Sequence, residues 1–238
     1  MRVGMMQPYF FPYLGHFALI SRVDQWLVFD ITQYTPKSWM SRNRVLHPQH
    51  GWNYVNMNLS NASISLLSCE ARVLNMERSR LSVLGKLSHY RRSAPYYREV
   101  TGLVGATFDA ATGDSLVGIN VAGLRMVCMY LGIPFDYRLC SELELDLPTN
   151  LGPGDWAPAI CSQIGATAYL NPAGGRHLFA SENFERQGIA LEFLDYEPFA
   201  YATGPYTFET NLSILDVLMW NSPTTVLDHI LKGHHAHT

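Results

Sequence analysis

Within residues 1–30 an apolar run, Val3-Gly4-Met5-Met6, leads into Gln7-Pro8-Tyr9-Phe10-Phe11-Pro12-Tyr13-Leu14-Gly15-His16. The run is too short for a helix and reads as a buried strand. Two prolines and a glycine then stiffen the turn behind it. Phe17, Leu19, Ile20 and Val23 follow at helix-like spacing, and Trp26-Leu27-Val28-Phe29 ends on Asp30. Strand, turn, helix, strand predicts a right-handed crossover between parallel strands. It gathers Gln7, Tyr9 and His16 where the first strand ends, which in open α/β sheets is where ligands bind.

The rest of the chain repeats this unit. From Ser115 on, Leu131-Gly132-Ile133, Ile164-Gly165-Ala166 and Gln187-Gly188-Ile189 each place a glycine between a helical and an extended stretch. That rhythm predicts an α/β, Rossmann-like, largely parallel sheet flanked by helices. The segment from about 60 to 113 interrupts it and is predicted to be an inserted helical excursion. No Pro-, Gly- or Ser-rich linker divides the sequence, so residues 1–238 are expected to form a single domain. Individual elements are predicted as a strand in 52–59, helical structure in 71–95, a long helix over 115–131 and a terminal helix over 212–220. Asn171 to His177 reads as a glycine-rich loop, and 233–238 as a flexible tail. Ser38 to Leu46 reads as a loop or edge stretch in which Arg42 and Arg44 share one side if extended.

Composition narrows the partners. Hydrophobic residues make up 47% of the 238 and charged ones 16%, with a net charge of −3. Those values describe a well-filled globular core and give no reason to expect nucleic acid as a partner. No apolar run approaches the roughly 20 residues of a membrane span, so no membrane association is expected. Cys69, Cys128, Cys140 and Cys161 are widely spaced without a metal-ligand pattern. With no apolar leader, they fit free thiols in a cytoplasmic protein, and no metal site is expected.

Several stretches together resemble a known family. They are Met6 to Gly15, Val23-Asp24, Val28-Phe29-Asp30, Gln33-Tyr34, Trp39, Arg42-Asn43-Arg44, Ala94-Pro95-Tyr96, Leu131-Gly132-Ile133, Ile160-Cys161 and Leu212 to Asp216. By these residues the sequence is similar to the WbqC-like protein family over nearly its whole length. The resemblance implies an enzyme, a transferase of bacterial surface-glycan (O-antigen) or specialised-metabolite biosynthesis. Position 16, an aromatic in many relatives, is His16 here.

On this reading the reaction is transfer of an acyl or aminoacyl group from a thioester donor to an amine acceptor. The donor would be an acyl-CoA or a carrier protein, and no other cofactor is firmly implied. His16 would act as general base, oriented by Asp30. Gln7, Tyr9, Trp39, Arg42, Asn43 and Arg44 would hold donor or acceptor, since arginine suits bidentate binding of carboxylate or phosphate. Asn171, Gly174, Gly175 and His177 would form a second wall, the glycines letting backbone N–H groups approach an anion. Cys161 beside His177 is a possible nucleophile, although its mid-helix position favours a buried structural thiol. Two alternatives stand beside this reading. Pro-Tyr-Leu-Gly-His is similar to the HxGH signature of nucleotidylyltransferases using NTP and Mg²⁺, except that Leu14 replaces the first histidine. The other is a noncatalytic partner of a pathway enzyme.

Overall fold

A computed structural model describes residues 1–61, 63, 65–232 and the backbone of 236–237. Five parallel strands form the central sheet: β1 (Arg2–Met6), β2 (Gln25–Val28), β5 (Tyr137–Leu139), β6 (Ala168–Pro172) and β7 (Ala190–Leu194). Their spatial order is β5-β2-β1-β6-β7, and the two-residue β8 (Ala236–His237) pairs antiparallel with β7. Part of the expected tail is therefore a sheet edge; 233–235 and 238 lie outside the described residues. The α/β reading holds.

Strand alternation divides the core. Val3, Met5, Leu27 and Tyr169 point to one face, where they meet α5 (Trp156–Gln163) and α6 (Ser181–Glu185). Trp26, Val28 and Leu170 point to the other, against α1 (Leu14–Ile20) and the larger helical layer. That layer holds α2 (Met76–Leu87), α3 (Tyr97–Ala110), α4 (Leu116–Leu131), α7 (Ile214–Trp220) and α8 (Pro223–Leu231). Helices α2 and α3 are the helical excursion predicted between about 60 and 113. Ser115 caps α4 by accepting from Gly118 N at 3.1 Å, and Gly132 ends it at φ 72°, a conformation suited to glycine.

Two expectations need correction, and a third, the loop or edge stretch at 38–46, resolves to its edge alternative. The terminal helix does not stop at Trp220 as the last element, because Ser222 caps a new helix with Pro223 at its first position. The glycine-rich loop after β6 is a 3₁₀ helix, Ala173–Leu178. The Arg42–Leu46 stretch is strand β3, paired antiparallel with β4 (Trp52–Asn56) in a separate two-stranded hairpin. Its inward residues, Asn43, Val45 and Val55, are buried.

The connection after β1 goes to β2 on one side, while β6 flanks β1 on the other. The strand order thus reverses between β1 and β6. At such a switch point the loops diverge and leave a crevice beyond the carboxyl ends of the strands.

Candidate functional site

The crevice is filled on one side by the turn after β1, which the fold holds tightly. Asn43 Nδ2 donates to the Phe10 and Phe11 carbonyls at 3.0 and 2.9 Å, and Ser213 Oγ to the Phe11 carbonyl at 2.7 Å. Asn120 Nδ2 bridges the Pro8 and Met40 carbonyls at 2.8 Å each. Ile214 N donates to the Pro12 carbonyl and Phe10 N to the Trp39 carbonyl, both at 2.8 Å. Phe11 adopts φ 40°, sterically costly for a bulky residue. Such a conformation persists only where the surroundings over-determine it, and these bonds do so. Gln7 is fixed as well, its Nε2 donating to Thr32 Oγ1 at 3.0 Å.

Beyond this turn lies a cavity of about 780 Å³, within the range of small-molecule sites. The end of β1 contributes Met5, Met6 and Gln7, and the turn contributes Tyr9, Pro12 and Tyr13. The end of β6 contributes Asn171 through Gly175, and the end of β7 contributes Leu194, Asp195 and Tyr196. Trp39, Asn43 and Arg44 close the hairpin side, and Phe29, Trp156 and Phe179 the base. Asn171 steadies its own wall by donating to the Pro172 carbonyl at 2.9 Å and accepting from Tyr169 Oη at 3.1 Å. A Cβ on Gly175 would collide with the Asn171 amide, so a residue without a side chain is required there.

Arg44 is the cation on this wall. Its guanidinium lies 5.4 Å from the Trp39 ring and 5.2 Å from the Trp52 ring, and Nη2 donates to the Asn211 carbonyl at 3.2 Å. Burial raises the pKa of Tyr9 and of Tyr13, the latter further raised by Tyr9. Burial also raises those of Tyr169 and Tyr196. All four phenols stay protonated at neutral pH and can donate.

The structure thus brings Gln7, Tyr9, Trp39, Asn43, Arg44, Asn171, Gly174 and Gly175 to one cavity. It leaves five expected residues out. His16 is 2% exposed, packed against Trp26, Tyr9 and Phe17 with ring centroids at 5.0, 5.7 and 6.3 Å. Neither ring nitrogen has a hydrogen-bond partner among the described residues, and burial lowers its pKa to about 3. Asp30 does not orient it. The Asp30 carboxylate accepts instead from Ser141 N at 2.9 Å and Ser141 Oγ at 2.6 Å, tying the end of β2 to the segment after β5. Cys161 is fully buried in the core under the sheet, and burial pushes its thiol up to about 12. His177 is exposed on the 3₁₀ helix and off the cavity wall, so no Cys–His pair forms. Arg42 lies outside the cavity, its guanidinium 4.2 Å over the Tyr54 ring.

Tyr13, Trp156, Asp195, Tyr196 and Asn211 also line the cavity but were not among the candidates. Asp195 directly follows the last parallel strand, so the rule that singled out Gln7 and Asn171 applies to it equally. Trp156 and Asn211 carry no comparable local signal.

Residues 7–227 match the WbqC-like protein family. The chain belongs to that family. It is also 24% identical over 218 residues to the uncharacterised protein Rv1507c of Mycobacterium tuberculosis, covering 91% of this chain and 92% of that one. No solved structure matches. The matched span runs from Gln7 into α8, so every cavity-lining residue except Met5 and Met6 falls within it. No described helix is long and apolar enough to cross a membrane. No group of three or more His, Cys, Asp or Glu among the described residues could hold a metal ion.

Proposed function

We propose that this WbqC-like protein is a transferase that moves an acyl or aminoacyl group from a thioester to an amine. The acceptor would be an amino sugar or a specialised-metabolite intermediate. The observation that carries the reading is the cavity at the switch point, apolar and aromatic over most of its wall, with Arg44 as its cation and Asp195 as its carboxylate. An apolar slot suits the acyl chain and thioester, and the two charges suit a polar acceptor and an anionic donor group.

Transfer is direct. The acceptor nitrogen attacks the thioester carbonyl, the C–N bond forms as the C–S bond breaks, and the amine proton leaves with the thiol. Tyr9 and Tyr13, protonated, donate to the carbonyl oxygen as charge develops on it. Asp195 steadies the amine. Cys161 takes no part, because a thiolate is the nucleophile and burial disfavours it. His16 is not assigned the base role, since its ring is packed behind the turn.

The test incubates purified protein with a panel of acyl-CoA and carrier-protein thioesters plus amine acceptors, and separately with NTPs and Mg²⁺. Products are followed by mass spectrometry. Amide formation that falls in Arg44→Ala is expected. Mg²⁺-dependent pyrophosphate release without amide would replace this reading with nucleotidylyl transfer. Co-purification with a pathway enzyme, and no turnover in either arm, would replace it with a binding module.

A further inference from the structure

Most of the other arginines with described side-chain contacts end on an oxygen. Arg2 meets Glu192 at 3.0 Å, Arg80 meets Asp109 at 2.7 Å and Arg72 meets Asp114 at 3.6 Å. Arg22 donates to the Ala18 and Ile230 carbonyls at 2.9 and 2.8 Å. Arg42 and Arg44 differ in lying over aromatic rings with no carboxylate partner among the described residues, although Arg44 Nη2 also donates to the Asn211 carbonyl at 3.2 Å.

The arrangement follows from strand pairing. Arg42 and Arg44 alternate with inward-facing Asn43, so both guanidiniums stand on the outer face of the hairpin. Their Cα atoms are about 7 Å apart for extended chain. Arg44 pairs with Tyr54 and Arg42 with Asn56 across the ladder. Each guanidinium lies over the diagonal aromatic instead, Arg42 over Tyr54 and Arg44 over Trp52, and the Trp52 and Tyr54 rings meet edge to face at 4.9 Å. The ladder continues into the cavity through Arg44 and Trp39. Trp39 and Trp52 are 40% and 39% exposed, so the face is open to a ligand.

We infer that this face is a phosphate-binding rim, taking a phosphate ester whose acyl-bearing remainder enters the cavity. Stacking leaves the terminal Nη groups of Arg42, and Nη1 of Arg44, to meet a tetrahedral oxyanion, whereas both Nε atoms are buried and Arg44 Nη2 is on the Asn211 carbonyl. Two cations without carboxylate partners match the two negative charges of the pyrophosphate of coenzyme A, and can also share the singly charged phosphodiester of a phosphopantetheinyl carrier. The inference rests on the thioester reading and sharpens it, since phosphate ester plus thioester is the chemistry of both coenzyme A and a phosphopantetheinyl carrier.

The experiment measures binding by calorimetry and tryptophan emission for coenzyme A, a phosphopantetheinylated carrier protein, unphosphorylated pantetheine and pyrophosphate. Wild type, Arg42→Ala and Arg42→Lys are compared at low and high salt, after circular dichroism has verified folding. Coenzyme A is expected to bind at least tenfold more tightly than pantetheine, with affinity falling as salt rises. Arg42→Ala should remove most of that advantage while leaving pantetheine unchanged, and Arg42→Lys should restore only part of it. Tighter binding of the carrier protein than of coenzyme A would identify the carrier as the source of the phosphate. Equal binding of coenzyme A and pantetheine, insensitive to Arg42, overturns the rim while leaving the cavity reading intact. Arg42-dependent coenzyme A binding without amide formation keeps the rim and overturns the transferase. No binding of any probe overturns both.

Discussion

Asn43 and Arg44 are neighbours on β3, yet their side chains leave the strand in opposite directions. Asn43 turns inward, is 4% exposed, and spends both amide hydrogens on the Phe10 and Phe11 carbonyls. Arg44 turns outward, lies between two indoles and reaches the cavity. One side of the hairpin builds the turn, and the other presents charge to whatever the turn helps to enclose. The difference teaches that polar residues in one short motif need not share a task. A buried amide satisfied by backbone is part of the scaffold, whereas a stacked guanidinium without a carboxylate is free to recognise an anion.

The comparison can be broken first on its inner side. Asn43→Ala leaves two carbonyls without that donor in a buried setting, and is expected to lower stability by about 3 kcal/mol in urea titration. A loss below about 1 kcal/mol would mean that the strained Phe11 turn is held by other contacts. His16 belongs to the same inner side and predicts a pH effect. Its pKa is near 6.5 unfolded and about 3 folded, so between those values the unfolded chain binds a proton that the folded one refuses. Stability should therefore be full above pH 6.5 and fall by roughly 1.4 kcal/mol per unit below it, about 2–3 kcal/mol by pH 4.5. His16→Leu should flatten that part of the slope, and an unchanged slope would show that the ring finds a partner on protonation.

The outer side predicts the reverse pattern. Arg44→Ala should cut kcat/KM for amide formation tenfold to a hundredfold, about 1.4–2.8 kcal/mol, with a smaller change in the urea midpoint. Arg44→Lys should recover little, because a lysine neither stacks nor forks as an arginine does. The smallest effect is expected at Cys161. Cys161→Ala should leave kcat unchanged and lower stability by about 1 kcal/mol for the buried volume lost; a collapse of kcat would restore a covalent mechanism.

Much of the fold was legible in the sequence, and for identifiable reasons. The glycines at 132, 165 and 188 sit at positive φ where helices hand over to strands, so local chemistry and the βαβ unit agreed. The carboxyl ends of β1 and β6 then bring Gln7, Tyr9 and Asn171 to the wall of one cavity. The His16–Asp30 pair failed for a different reason. Helix α1 is buried at every residue from Leu14 to Ile20, as befits a segment apolar all round, and a single histidine within it has no face from which to reach ligand. Its place among Tyr9, Phe17 and Trp26 is that of an aromatic ring. For β3, a period of two showed that Arg42 and Arg44 share a side. It could not show which side faced the cavity, because that depends on contacts with turns and helices far along the chain, such as Ser213 N donating to the Arg44 carbonyl at 2.8 Å.

The central claim is that ligand binds beyond the carboxyl ends of β1, β6 and β7, against the hairpin. Hydrogen exchange with and without saturating acyl-CoA tests it most directly. The account predicts new protection within 7–13, 39–46, 171–178 and 194–198, with the amides of α2 and α6 unchanged. Protection centred on the helical excursion, or none near the turn after β1, would contradict it.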